Sequence, residues 1–73
     1  MKKYDYYVLF DDCSQPVMIT QHYDAICNFV INNALVSAVK DNEYNLYAGK
    51  YNDEKLEMHY IQQDLLDDLS YCE

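Results

Sequence analysis

Apolar and polar residues alternate from Tyr4 to Phe10, with Tyr4, Tyr6, Val8 and Phe10 on one face of an extended segment and Asp5, Tyr7 and Leu9 on the other. This predicts a strand. Asp11-Asp12-Cys13-Ser14-Gln15-Pro16 is turn chemistry and Val17 to Thr20 resumes β character, so the first twenty residues read as a β-hairpin. The period then lengthens. A helix capped by Thr20 and running to about Lys40 places Tyr23, Ile26, Cys27, Val30, Ala34 and Ala38 on one broad apolar face, with Gln21, Asp24, Asn28 and Asn32 as a polar stripe. Ala25, Phe29 and Val36 fall beyond that stripe, so the apolar arc is wider than one sheet needs. The surplus predicts a second contact, with the C-terminal segment or with another chain, and makes Phe29 and Val36 candidate oligomer contacts.

Lys40-Asp41-Asn42-Glu43 is a polar turn, after which Tyr44, Leu46 and Ala48 alternate with Asn45, Tyr47, Gly49 and Tyr51 in a third strand. Asn52-Asp53-Glu54 reads as a hairpin turn. Leu56, Met58 and Tyr60 then alternate with Glu57 and His59, as in a half-buried fourth strand with His59 on its outer face. The rival for residues 53–60 is a helix capped by Asn52 or Asp53, which the propensities of Glu54, Lys55, Leu56, Glu57 and Met58 favour; the alternation favours the hairpin. From Ile61 onward Leu65, Leu66, Leu69 and Cys72 recur at helical spacing. The expected fold is α+β, one compact domain over residues 1–73: a small antiparallel sheet in the order ββαββα, one main helix packed on it, and a short acidic C-terminal helix.

Composition adds that this chain folds, because half of its 73 residues are apolar and nine are tyrosine, too many for disorder despite a net charge of −8. One glycine and one proline leave no room for flexible linkers. Lys2 and Lys3 resemble the start of a signal peptide, but Asp5, Asp11 and Asp12 interrupt any apolar region behind them, and Ala25 to Val39 is too short and too rich in asparagine to cross a bilayer. A cytoplasmic protein with no membrane contact is expected. Cys13, Cys27 and Cys72 are odd in number and form no C-x-x-C pair, which argues for reduced thiols over disulfides or a zinc site.

Candidate chemistry is sparse. No phosphate-binding loop, dinucleotide fingerprint, zinc-protease helix or nucleophile elbow is present, and the lone Gly49 excludes a glycine-rich cradle. His22 and His59 are far apart, and Asp11-Asp12 and Asp67-Asp68 lack the spacing of an acid/base pair or a calcium loop. The expectation is no enzyme, no cofactor and no metal. Direct binding of nucleic acid is disfavoured by the charge, since phosphate repels it and Lys2-Lys3 is the only basic cluster.

The charge is uneven. Six of the eight net negative charges fall in residues 53–73, where Asp53, Glu54, Glu57, Asp64, Asp67, Asp68 and Glu73 face Lys55 alone. In a C-terminal helix Asp64, Asp67 and Asp68 stand at i, i+3 and i+4 with Tyr71 continuing the stripe, an arrangement that does nothing for the helix itself. Carboxylates on a rigid face can take the places of phosphates on a basic protein, and flanking tyrosines attract arginine. The expected partner-binding residues are therefore Asp53, Glu54, Glu57, Asp64, Asp67, Asp68 and Tyr71. The expected function is a small acidic protein-binding module that masks the basic surface of a partner protein such as a nucleic-acid-processing enzyme. In size, acidity and lack of catalytic motifs the chain is similar to phage and mobile-element inhibitors of the anti-CRISPR and DNA-mimic type, a likeness of composition that no residue motif carries. The alternative is a small structural or regulatory homo-oligomer, such as a homodimer, joined through Phe29 and Val36 or through an open sheet edge.

Overall fold

Antiparallel pairing joins all four expected strands into one sheet. The computed structural model describes residues 4–70, so Lys2, Lys3, Tyr71 and Cys72 lie outside the described residues. In chain order the elements are β1 (Tyr6–Phe10), β2 (Pro16–Thr20), α1 (Tyr23–Asn32), α2 (Val36–Lys40), β3 (Asn45–Asn52), β4 (Lys55–Tyr60) and α3 (Gln62–Ser70). The strands lie in the order β2-β1-β3-β4. This is the α+β arrangement that the pattern predicts, and residues 55–60 are strand rather than helix. The alternation of Leu56, Met58 and Tyr60 outweighs the helical propensity of Glu54 to Met58, because β3 offers a partner in register from Tyr47↔Tyr60 to Asn52↔Lys55. Asp53 closes that hairpin at φ 56°, a left-handed conformation that aspartate tolerates better than most residues.

The main helix is two helices, which corrects the single run from Thr20 to Lys40. Asn33 and Ala34 end α1: the Asn33 side-chain amide donates to the Phe29 carbonyl at 2.8 Å, Ala34 turns left-handed at φ 56°, and the Leu35 N–H returns to the Val30 carbonyl at 2.8 Å. That pattern satisfies carbonyls that a continuing helix would have used. Thr20 also does not cap as expected. Residue His22 holds the N-cap position without a side-chain bond, and the Thr20 hydroxyl accepts from the His22 N–H at 3.1 Å.

The core forms between one face of the sheet and the helices. Leu9, Ile26, Val30, Val39, Leu46, Ala48, Leu65 and Leu69 are fully buried. Residues directly paired across strands share a face, so Leu9↔Leu46, Leu9↔Met18 and Tyr7↔Ala48 define the covered side. Phe29 and Val36 of the surplus apolar arc are half-buried against this core. Gln62 completes the layer from within. Only 3% exposed, it accepts the Leu46 N–H at 2.7 Å and donates to the carbonyls of Val39 and Tyr44 at 2.9 and 2.6 Å, tying α3 to α2 and β3.

Candidate functional site

Among the described residues no helix covers the opposite face of the sheet, although Val8 near its centre is buried. Register places Val8, Ile19, Tyr47 and Tyr60 together on it, and alternation adds Tyr6, Phe10, Val17, Gly49, Tyr51, Leu56 and Met58. The shortest dimension of the molecule, 17 Å, accommodates one sheet and one helical layer. Ile19 is therefore 66% exposed, Tyr51 63%, Tyr60 54%, Leu56 and Met58 47% each and Val17 40%. At about 150–250 Å² for an aromatic residue and less for an aliphatic one, those fractions leave roughly 600 Å² of these residues in water, tyrosine hydroxyls included. That is the upper end for a single patch on a monomer, about 300–600 Å². Among the described large hydrophobic residues only Ile31 is similarly exposed elsewhere.

This outcome reverses the expected orientation of β4. Leu56, Met58 and Tyr60, expected to be half-buried, face the open side, whereas His59, expected to face outward, lies on the helical side with its ring 5.5 Å from that of Tyr4. Glu57 is on the same side, its Oε1 3.8 Å from His59 Nε2.

Aromatic contacts stiffen the open face. Phe10 meets Tyr47 edge to face at 5.5 Å, Tyr47 meets Tyr60 at 5.0 Å, and Tyr6 meets Tyr51 at 6.4 Å. The Tyr60 hydroxyl donates to Asn45 Oδ1 at 2.9 Å. Gly49 has a packing role that the sequence did not reveal: a Cβ there would stand 2.4 Å from Cζ of Tyr6, so the missing side chain lets the Tyr6 ring lie across β3. The tyrosine hydroxyl then reaches Met58 Sδ at 3.6 Å. Rings held this way have little conformational entropy left to lose on further burial.

Charge surrounds the face without entering it. No strand position on this side carries a charged residue, while Asp11 and Asp12 form the β1–β2 turn and Asp53 and Glu54 the β3–β4 turn, at opposite ends of the sheet. Of the expected partner-binding residues, Asp53 and Glu54 thus stand at the β3–β4 end of the sheet, beside Asn52 and Lys55. Asp64, Asp67 and Asp68 are exposed on α3 in the other layer, Glu57 points to that layer from the edge strand, and Tyr71 is outside the described residues.

On the helical side, Tyr4, Tyr7, Tyr23 and Ile61 line an open groove of about 310 Å³ with Asp64, Asp67 and Asp68. Asp68 has a structural task here. Its Oδ2 accepts the Tyr23 hydroxyl at 2.5 Å, which holds α1 to α3, and Asp67 Oδ1 accepts from Gln63 Nε2 at 3.0 Å. The acidic stripe is thus partly used by the fold, contrary to the expectation that it contributes nothing to it. Burial, followed by the bond to Asp68, pushes the Tyr23 hydroxyl well above its ordinary pKa.

At the β1–β2 turn the ligand atoms of Asp11, Asp12 and Cys13 lie within 4.8 Å of one another. Asp11 Oδ1 already accepts the N–H groups of Cys13 and Gln15, both at 2.9 Å. Two carboxylates and a thiol match neither the oxygen shell of calcium nor a four-ligand zinc site. The Cys13 thiol is pushed up by Asp12 first and then by Asp11, which disfavours the reactive thiolate. No helix among the described residues is long and apolar enough to cross a membrane. No family model, curated protein or solved structure matches this chain.

Proposed function

We propose that this chain is a small non-catalytic module that binds a basic protein through the open face of its sheet. The observation that carries the proposal is an uncharged, tyrosine-rich face with an acidic turn, Asp11 and Asp12, at one end and Asp53 and Glu54 beside Lys55 at the other. Its apolar centre supplies the contact area: with half-buried Tyr6, Phe10 and Tyr47 added, the face approaches the roughly 800 Å² per partner of a standard interface. The rim selects the partner. A protein with an apolar centre and a basic border matches Asp11, Asp12, Asp53 and Glu54, and such borders are typical of surfaces that hold nucleic acid. A module of net charge −8 seated there excludes phosphate.

Self-pairing through the same face fits less well. In aligned face-to-face packing a two-fold axis parallel to the strands brings each turn to its own copy, and an axis across them brings it to the opposite turn. Each turn carries two carboxylates, so acid approaches acid either way, offset at the β3–β4 turn by Lys55.

The test is affinity capture from lysate by the wild-type chain, by a Leu56→Asp, Met58→Asp double variant and by an Asp64→Asn, Asp67→Asn double variant. The expected result is a basic protein captured by the wild type, displaced by added DNA or RNA, and weakened at 0.5 M salt, where the screening length is about 4 Å. The sheet-face variant loses it and the α3 variant keeps it. Loss in the α3 variant alone moves the site to the helical groove. A salt-insensitive wild-type dimer that the sheet-face variant dissociates replaces the proposal with self-association.

A further inference from the structure

The geometry points to a notch for an arginine side chain of the partner at the β1–β2 end of the open face. Phe10, Tyr47 and Met58 line an open depression of about 330 Å³ that Asp11, Ser14 and Asn45 complete. The edge-to-face packing of Phe10 on Tyr47, at 5.5 Å and 87°, fixes two of its walls. The carboxylate is fixed as well. Both backbone donors to Asp11, the N–H groups of Cys13 and Gln15, use Oδ1, which leaves Oδ2 for a ligand in an orientation that the turn has already set. Asn45 is similarly held, its Nδ2 donating to the Asn42 carbonyl at 3.0 Å and its Oδ1 accepting from Tyr60, with one lone pair remaining.

Aromatic walls beside fixed oxygen acceptors suit one side chain best. A guanidinium is flat, weakly hydrated and ringed by five N–H donors, so it can stack on Phe10 or Tyr47 while its edge meets Asp11 Oδ2, Asn45 Oδ1 and the Ser14 hydroxyl. Its methylene stem can lie along Met58. A lysine ammonium is compact and strongly hydrated, and ring faces replace its water poorly. Acidic side chains are repelled by Asp11 and apolar ones leave it without a partner.

This inference rests on the proposal that the open face meets a basic protein, yet its test needs no partner. N-acetyl-arginine methylamide is titrated into the isotopically labelled protein and followed by NMR, alongside its citrulline and lysine counterparts, on the wild type and on Asp11→Asn. Asparagine keeps the side-chain oxygen that accepts from Cys13 and Gln15, so the turn persists while the charge is removed. The arginine compound should give saturable shifts at Phe10, Asn45, Tyr47 and the Met58 methyl. The citrulline and lysine compounds should bind at least about fivefold more weakly, and Asp11→Asn should weaken the arginine compound at least about threefold. Absence of shifts, equal binding of citrulline or lysine, insensitivity to Asp11→Asn, or shifts centred on α3 each overturn the notch. If the notch fails while capture is still lost in Leu56→Asp, Met58→Asp, the docking face stands without an arginine anchor; if capture survives that double variant, the docking face itself has failed.

Discussion

The open face of this sheet carries more apolar side chain than the covered face, and the two have different fates. On the covered face, aliphatic Leu9 and Leu46 and small Ala48 let α1, α2 and α3 approach closely, and they are fully buried. On the open face, tyrosine, phenylalanine and methionine stand over the same strands with water above them. The lesson is that burial in the free chain separates residues that stabilise the fold from residues left in water, although hydrophobicity alone does not distinguish them.

Substitution on opposite sides of adjacent strands breaks the comparison most sharply. Leu9→Ala or Leu46→Ala should cost about 2–5 kcal/mol in denaturant unfolding, by lost burial and the cavity left behind. Leu56→Ala, on the open face, should cost no more than about 0.5 kcal/mol. Equal costs would mean that the open face is packed in the free protein.

Gln62→Ala should follow, at about 2–4 kcal/mol, because the Leu46 N–H and the carbonyls of Val39 and Tyr44 lose their common partner. Thermal unfolding by circular dichroism reads this directly. Gly49→Ala should cost about 1–3 kcal/mol, as the new Cβ displaces the Tyr6 ring. It should also weaken partner capture, unlike Gln62→Ala examined below its melting point. The pair thereby separates damage to the fold from damage to the face.

The smallest effect is expected in alkali. Tyr23 holds its proton in the folded protein far above the ordinary tyrosine pKa of 10.0, and Tyr7 is shifted in the same direction by burial first and Tyr4 second. The folded state thus binds more protons than the unfolded chain above pH 10, so stability present below that pH should fall as pH rises through it. Melting curves from pH 8 to 11 should show the decline, shallower in Tyr23→Phe. At neutral pH that variant should lose about 1 kcal/mol with the Asp68 bond.

The strands and the C-terminal helix were legible because two-residue alternation and helical recurrence depend on local sequence. The break at Asn33-Ala34 was not, since alanine favours helix and the apolar period runs on through it; the left-handed turn is set by where Leu35 and α2 must pack. The identity of the covered face was hidden for a different reason. Alternation tells which residues share a face, but β1 and β3 are apolar on both. Strands β2 and β3 run parallel with β1 between them, so α1 and α2 form a crossover connection, and such connections take one hand almost without exception. Strand order therefore bears on which face is covered, and no local pattern shows it. Of the candidate site, the acidic bias and the turn at Asp53 and Glu54 were readable, whereas Gln62 and the close approach of Tyr6 to Gly49 exist only once distant segments meet.

Side-chain footprinting by hydroxyl radicals, on the free chain and on its complex with the captured partner, tests the division between the faces most directly. Oxidation of Met58, Tyr51 and Tyr60 should be strongly suppressed in the complex while Tyr4 and Tyr23 change little. If Met58 is oxidised equally in both states and protection falls on Tyr4, Tyr23 and α3, the open face is not the docking surface and the acidic helical layer is.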